Sequence, residues 1–260
     1  MDRIKFRLNK TVNIGKYKIP IDDNLPRQKQ QEAEPGLRRD PIFKHYLKKI
    51  IWPVFSIRNN FLVDGFIEKE AGKLMKKYLR KNNIFLEVGC GDMSLRKYLP
   101  NSHTYNAMDI SLADFHLQRV LPEGKRINVV IASVTKIPLP SNSVSMIAAT
   151  EVLEHIINVN KAMSEIERVL KPRGVLIVSI PNNYCYKYQI KGAHTEHVQN
   201  WDFKGFIKYA EKYKFQVVES FMKGYWVPLP LWLTRTSYQL PFTSKEEFYN
   251  TNFFYVFRKL

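Results

Sequence analysis

Two groups of residues in this chain of 260 have types and spacings that can do chemistry. The first begins where the apolar run Phe85-Leu86-Glu87-Val88 meets Gly89-Cys90-Gly91, and it ends at Asp109, the last residue of the next apolar run. A glycine-rich turn admits a ligand against the backbone where a side chain would block it, and a helix after the turn would offer amide groups and a positive dipole end. An acid about 20 positions further on, at the tip of the next strand, is placed to accept hydrogen bonds from ribose hydroxyls. Ser94 occupies the third fingerprint position, where a pyrophosphate-binding loop has Gly or Ala. The Glu87 carboxylate at the strand end suits a cationic ligand group instead.

The second group is Glu151, Glu154 and His155, whose i, i+3 and i+4 spacing puts three potential ligands on one face of a helix. His194 and His197 follow in a loop after the fifth strand, which in an open α/β sheet places them over the same C-terminal edge. An imidazole there has a pKa range suited to deprotonating a hydroxyl, so His155, His194 and His197 are candidate catalytic bases. Carboxylates at Glu151 and Glu154 could instead hold a divalent ion that lowers the hydroxyl's pKa. The third reading is that the cluster only caps and packs. Cys90 reads as a packing residue, Cys185 lacks the paired Pro-Cys motif that would support attack on a pyrimidine, and His45, His103 and His116 read as surface or capping residues outside the pocket.

Positioning these groups requires alternating strands and helices. Short apolar runs predict strands at 84–88, 104–108, 127–132, 144–150, 174–180 and 215–221, with a last strand at 252–258, and the alternation argues for parallel pairing. Helices are expected over 42–57, 66–79 and 202–213, and residues 1–40, with Pro20, Pro26 and Pro35, read as an irregular arm. The expected fold is α/β, a Rossmann-like, seven-stranded, mostly parallel sheet with helices on both faces. Residues 1–60 are assigned to a basic N-terminal extension and lid, and residues 61–260 to the folded domain.

The net charge of +17 is uneven: residues 1–60 carry 14 Lys/Arg against 6 Asp/Glu, a surplus of 8. Such an arm can contact RNA or an anionic membrane surface, through Arg27, Lys29, Arg38, Arg39, Lys44, Lys48 and Lys49, or it can simply be solvated. Apolar stretches fall short of the roughly 20 residues that span a bilayer, so no transmembrane segment is expected. Two cysteines and an N-terminus without an apolar core predict a cytoplasmic protein, with peripheral membrane contact as a variant.

Residues 84 to about 220 resemble the class I S-adenosylmethionine-dependent methyltransferases. The landmarks are Glu87, Gly89 and Gly91 as the acidic-x-Gly-x-Gly motif, Asp109 as the ribose-binding acid, Ala132-Ser133-Val134 and Ile137-Pro138-Leu139-Pro140 beside the adenine, and Arg168 to Gly174 as the turn into the fifth strand. The family usually has Asp where Ser133 stands. The resemblance implies S-adenosyl-L-methionine as cofactor, bound through Glu87, Gly89, Gly91, Asp109, Ser133, Val134 and Thr150. The Glu-x-x-Glu-His run resembles ubiquinone-type O-methyltransferases. It also resembles the small-RNA 3′-terminal 2′-O-methyltransferases, which complete a divalent metal site with a later His, implying a set of Glu151, Glu154, His155 and His197. The same Glu-His pattern is widespread in metal-free methyltransferases.

Thr150-Glu151-Val152 stands where base N-methylation would need Asn/Asp-Pro-Pro-aromatic, so that chemistry is disfavoured. The expected activity is O-methylation of a small-molecule, lipid-linked or glycan acceptor, with the aromatic stretch Tyr225 to Leu233 lining the acceptor side. An RNA 2′-O-methyltransferase using the Glu/His cluster and the basic arm is the alternative, and a non-catalytic binding module the third reading.

Overall fold

The computed structural model describes residues 6–14, 17–22, 65–110, 126–191, 196–228, 237–240 and 243–260. Along these, β1 (Lys10–Ile14), β2 (Tyr17–Ile21), α1 (Phe66–Tyr78), β3 (Phe85–Val88), β4 (Tyr105–Asp109), β5 (Ile127–Ile131) and β6 (Val144–Thr150) are followed by a second run of elements. These are α2 (Val159–Val169), β7 (Leu170–Pro181), α3 (Tyr186–Lys191), α4 (Phe203–Glu211), β8 (Phe215–Pro228), β9 (Ser237–Leu240) and β10 (Asn250–Lys259). The helix expected over 42–57 lies outside the described residues, as do the basic positions from Arg27 to Lys49.

The strands form one sheet in the order β1-β2-β5-β4-β3-β6-β7-β10-β8-β9. The five central strands, β5, β4, β3, β6 and β7, are parallel, and β10 enters antiparallel between β7 and β8. From β3 the chain steps outward to β4 and β5, then returns to pair β6 on the other side of β3. Strand order therefore reverses between β3 and β6, which opens a crevice at their C-terminal ends.

Alternating side chains on these strands feed two apolar layers. Leu86, Ile147, Ala149, Leu176 and Val178 face α2 and α4, while Phe85, Met146, Ala148 and Ile177 face α1. On α2, Val159, Ala162, Met163, Ile166 and Val169 are buried, the stripe expected of a helix covering a sheet. Each large aliphatic side chain so buried contributes about 1.5–3 kcal/mol.

The sheet has ten strands, not seven. The additional strands are β1, β2 and β9, and two of them occupy the arm read as irregular from its sequence. Five-residue strands show little periodicity, and this hairpin forms because the open edge of β5 supplies backbone partners. Ile21 pairs with Ile131, the Asp22 amide donates to the Ile131 carbonyl at 3.0 Å, and the Arg7 amide donates to the Pro138 carbonyl at 2.9 Å. Ile19 is buried in the α1-side layer. Pairing of this kind also covers an edge that would otherwise invite intermolecular strand addition.

Candidate active site at the C-terminal edge of the sheet

Gly89 and Gly91 follow β3 at the point of strand reversal. Both adopt left-handed backbone, with φ of 64° and 43°. A Cβ on Gly89 would lie 2.3 Å from a Val152 methyl, so glycine is what allows the segment after β6 to pack against the turn. A Cβ on Gly91 would meet no atom within 4 Å, which leaves the space over that residue open to a ligand. The turn is tied to β4: the Cys90 amide donates to the Met108 carbonyl at 3.2 Å, and the Gly91 amide donates to Asp109 Oδ2 at 2.9 Å. The expected α-helix after the turn is instead a 3₁₀ turn over Ser94–Tyr98, opened by Met93 at φ 59° and by the Ser94 amide donating to Asp92 Oδ1. Five residues of 3₁₀ structure supply little dipole, which leaves backbone amides and Asp109 as the polar groups at this turn.

Glu87 is buried beside this turn and accepts a hydrogen bond from the Tyr105 hydroxyl. Burial pushes its pKa up to about 8, against the Tyr105 hydrogen bond and with the help of the negative charges of Asp92, Asp109 and Glu68. Cys90 is buried and its thiol is pushed well up by burial, in keeping with a packing role. At the end of β5, Ser133 and Val134 are buried. The Ser133 hydroxyl meets Thr135 Oγ1 at 2.8 Å and accepts from the Thr135 amide at 3.2 Å, so it closes its own turn. Thr150, half-buried, ends β6 opposite Ser179.

Beyond β6 the structure departs from the expected helix. Glu151 has φ 53°, Leu153–His155 is a single 3₁₀ turn, and α2 begins only at Val159, with Asn158 capping it by accepting from the Lys161 amide at 3.2 Å. Glu151 and Glu154 therefore do not share a helix face. Glu151 turns toward β7 and β10, accepting from Ser179 Oγ at 2.8 Å and Asn252 Nδ2 at 3.1 Å, and desolvation raises its pKa to about 7 against both bonds. Glu154 is 1% exposed, and neither of its carboxylate oxygens has a hydrogen-bond partner among the described residues. Burial, then the charge of Glu151, pushes its pKa well up.

Glu154 faces His155 and His197. One ligand atom from each of the three lies within 4.8 Å of the others, and the imidazole rings meet edge to face at 5.0 Å. Segment 196–200 is stapled to the Glu154 turn to achieve this. The Val198 and Gln199 amides donate to the Glu154 carbonyl at 2.8 and 3.0 Å, and Gln199 Nε2 donates to the carbonyls of Ile156 and Ile157. Of the expected four-residue set, Glu154, His155 and His197 offer ligand atoms within 4.8 Å of one another, while the Glu151 oxygens accept from Ser179 and Asn252. His194 lies outside the described residues. His103 is buried, with Nε2 3.0 Å from the carbonyl of Arg80 in the segment after α1, and so it lies inside the fold and not on the surface.

An aromatic rim continues from the cluster along the same edge. Tyr188 lies 6.4 Å from the His197 ring, Tyr186 packs against Phe248 at 5.6 Å, and Tyr249 stacks on Tyr225 at 5.7 Å. Asn182, at the end of β7, fixes this rim by donating to the Glu247 and Asn250 carbonyls. Of the aromatic stretch expected to line the acceptor side, residues 229–233 lie outside the described residues. Tyr184, Tyr186, Phe248 and Tyr249 add aromatic groups at this edge that the sequence signals only through Pro181-Asn182-Asn183, a turn signal after a long apolar strand.

Comparison with known proteins agrees with this geometry. A family model described as a methyltransferase domain matches residues 86–178. Residues 86–178 form a class I S-adenosylmethionine-dependent methyltransferase domain. An uncharacterized protein of Methanocaldococcus jannaschii is 31% identical over 141 residues, 54% of this chain and 56% of that protein. A probable S-adenosylmethionine-dependent methyltransferase of Mycobacterium tuberculosis is 29% identical over 104 residues, 39% of this chain and 36% of its own length. The chain thus spans about half the length, or less, of the curated relatives it matches. Among solved structures, a SAM-dependent methyltransferase from Methanosarcina mazei superposes with TM-score 0.55 at 14% identity, covering 72% of this chain and 97% of that one. A putative methyltransferase of Haloferax volcanii, solved with the Trm112 methyltransferase activator, gives TM-score 0.59 at 13% identity, covering 80% and 93%. These likenesses establish the Rossmann-like methyltransferase fold and make S-adenosylmethionine the cofactor implied for the Gly89–Asp109 end. No helix among the described residues is long and apolar enough to cross a membrane.

Proposed function

We propose that the protein transfers the methyl group of S-adenosylmethionine to a hydroxyl of a small-molecule, lipid-linked or glycan acceptor. The observation that carries this reading is the pairing, on one sheet edge, of the Gly89–Asp109 turn with His155 and His197 beside Glu154. A sulfonium methyl is already activated, so the fold's main task is to hold acceptor and methyl in line in a dry cleft. Gly89 and Gly91 admit the cofactor to the backbone, and the Asp109 carboxylate takes the ribose hydroxyls. Glu87, buried at the end of β3, would face the cofactor's cationic end and would hold it as a carboxylate. Ser133 and Val134 border the adenine through backbone and apolar contact, and Thr150 closes the floor between the two halves.

An alcohol needs its proton removed as the methyl arrives. His155 and His197 each place Nδ1 on a carbonyl oxygen, of Glu196 at 3.1 Å and of Asn183 at 2.8 Å, which makes Nε2 the basic atom. The aromatic rim gives the remainder of the acceptor a flat apolar surface.

Glu154, buried with no hydrogen-bond partner for its oxygens among the described residues and 3.7 Å from His155 Nε2, favours a metal-assisted form of the same reaction. A buried carboxylate and two imidazoles are a donor set that fits Mn²⁺-like ions, and Glu154, His155 and His197 would hold the ion. A bound divalent ion would lower the pKa of the acceptor hydroxyl. Methyl transfer from labelled S-adenosylmethionine to fractionated metabolite, lipid, oligosaccharide and RNA pools, with and without chelator, tests both forms. Methyl-ether product in the metabolite, lipid or oligosaccharide fraction is expected. Label confined to RNA would instead make the basic residues 1–60 an acceptor-binding arm, and no transfer to any pool would overturn the reading.

A further inference from the structure

The two imidazoles of the cluster are oriented by different means. His155 Nδ1 meets a main-chain carbonyl, that of Glu196, in a segment already stapled to the Glu154 turn. His197 Nδ1 instead meets a side chain, the Asn183 Oδ1, at 2.8 Å. Asn183 is itself held: its Nδ2 donates to Asn200 Oδ1. With its nitrogen turned to Asn200, the Asn183 amide presents its carbonyl oxygen to the imidazole, and a carbonyl oxygen only accepts. In this arrangement His197 carries its proton on Nδ1, which leaves Nε2 as the basic atom of a ring that meets the His155 ring edge to face at 5.0 Å. Asn183 comes from the turn after β7 and Asn200 from the loop before α4, so the relay joins two loops that meet only in the folded protein.

We propose that Asn183, held by Asn200, is a positioning residue that fixes His197 in its Nδ1–H tautomer and so aims Nε2 into the cluster with Glu154 and His155. This rests on the reading that the cluster activates the acceptor hydroxyl. The physical reason is that a neutral imidazole in water populates both tautomers, and one fixed acceptor at hydrogen-bond distance selects between them. A partner of this kind also sets how strongly the imidazole donates to a proton or an ion, and its loss commonly weakens metal affinity by roughly 10- to 100-fold.

The test uses the full chain without added metal, with ¹⁵N-labelled histidine, at a pH of about 8.5 where imidazoles are neutral. Long-range ¹H–¹⁵N spectra should report Nδ1–H for His197 in the parent protein and a mixture with Nε2–H in Asn183→Leu. Asn183→Asp, whose carboxylate still accepts, should restore the parent pattern, a rescue that a merely structural asparagine would not give. Asn200→Ala, which frees the Asn183 amide to rotate, should move the tautomer in the same direction as Asn183→Leu and serves if the leucine variant does not fold. Calorimetric titration with Mn²⁺ alone should show roughly 10- to 100-fold weaker binding in Asn183→Leu than in the parent or in Asn183→Asp. An Nδ1–H signal unchanged in both Asn183→Leu and Asn200→Ala would overturn the proposal. A tautomer that moves as expected in a parent protein that binds no Mn²⁺ would support it and remove only the metal-assisted form of the reaction.

Discussion

The cofactor end and the acceptor end of the same sheet edge are built differently. At the first, one β-turn-β unit supplies nearly everything: Glu87, Gly89, Gly91 and Asp109 lie within two neighbouring strands and the segment between them, tied by the Gly91 amide donating to Asp109. At the second, the 3₁₀ turn after β6, the loop before α4 and the turn after β7 each lend side chains, and hydrogen bonds between loops hold them together. A cofactor common to many reactions can be met by a local, rigid feature. On the proposed reading an acceptor is met by groups that loops can reposition, and the second end carries a buried carboxyl group and two oriented imidazoles held in that way.

Variants at one end should therefore leave the other end's readout intact, and turnover should respond most. His155→Ala is expected to lower turnover by roughly 10²- to 10⁴-fold while calorimetric affinity for S-adenosylmethionine stays near the parent value. Equal losses in both measurements would break the contrast. Next in size, Gly89→Val forces a side chain into left-handed backbone and against Val152, at a combined cost of about 2–5 kcal/mol. A marked fall in melting temperature with loss of cofactor binding should follow, and an unchanged melting curve would mean that the turn yields easily.

Asp109→Ala removes a charged acceptor and the partner of the Gly91 amide. S-adenosylmethionine and its demethylated product should both bind about 1.5–3 kcal/mol more weakly, roughly ten- to hundredfold in Kd. A loss confined to one of the two ligands would place the carboxylate elsewhere than at the ribose.

The smallest effect concerns pH. Glu87 has its folded pKa raised to about 8, whereas an exposed glutamate titrates near 4.3. Between those values the folded protein holds a proton that the unfolded chain gives up, so the buried neutral carboxyl is fully favourable below the lower value. Its contribution declines as pH rises through the window to about 8. Glu87→Gln, which cannot ionise, should flatten that decline in melting temperature between pH 5 and 8. Some slope should remain, because Glu151 and Glu154 are raised as well. Parallel pH profiles for variant and parent would show that Glu87 is not the group that titrates.

Local pattern carried far at the cofactor end. The strands expected at 84–88, 104–108, 127–132 and 144–150 match β3, β4, β5 and β6 to within a residue or so, because parallel strands buried on both faces are continuous apolar runs. The Gly turn and the acid at the next strand tip follow from spacing alone. The acceptor end was legible as a set of residue types and not as an arrangement. An i, i+3, i+4 spacing implies a shared face only if the helix is continuous, and the left-handed Glu151 with the Asn158 cap breaks it.

By itself the sequence determined the strand and helix alternation, the order of landmarks and the ligand end that backbone forms, since these depend on burial and on glycine within a few neighbouring residues. Tertiary structure alone decided that the β1–β2 hairpin closes the edge of β5, that Glu151 belongs to Ser179 and Asn252 while Glu154 belongs to His155 and His197, and that Asn183 faces an imidazole. The physical reason is the same in each case. A hydrogen bond or an uncompensated buried charge between residues distant in the chain acquires its energy only when folding removes water from both partners, and no local pattern records which partner that will be.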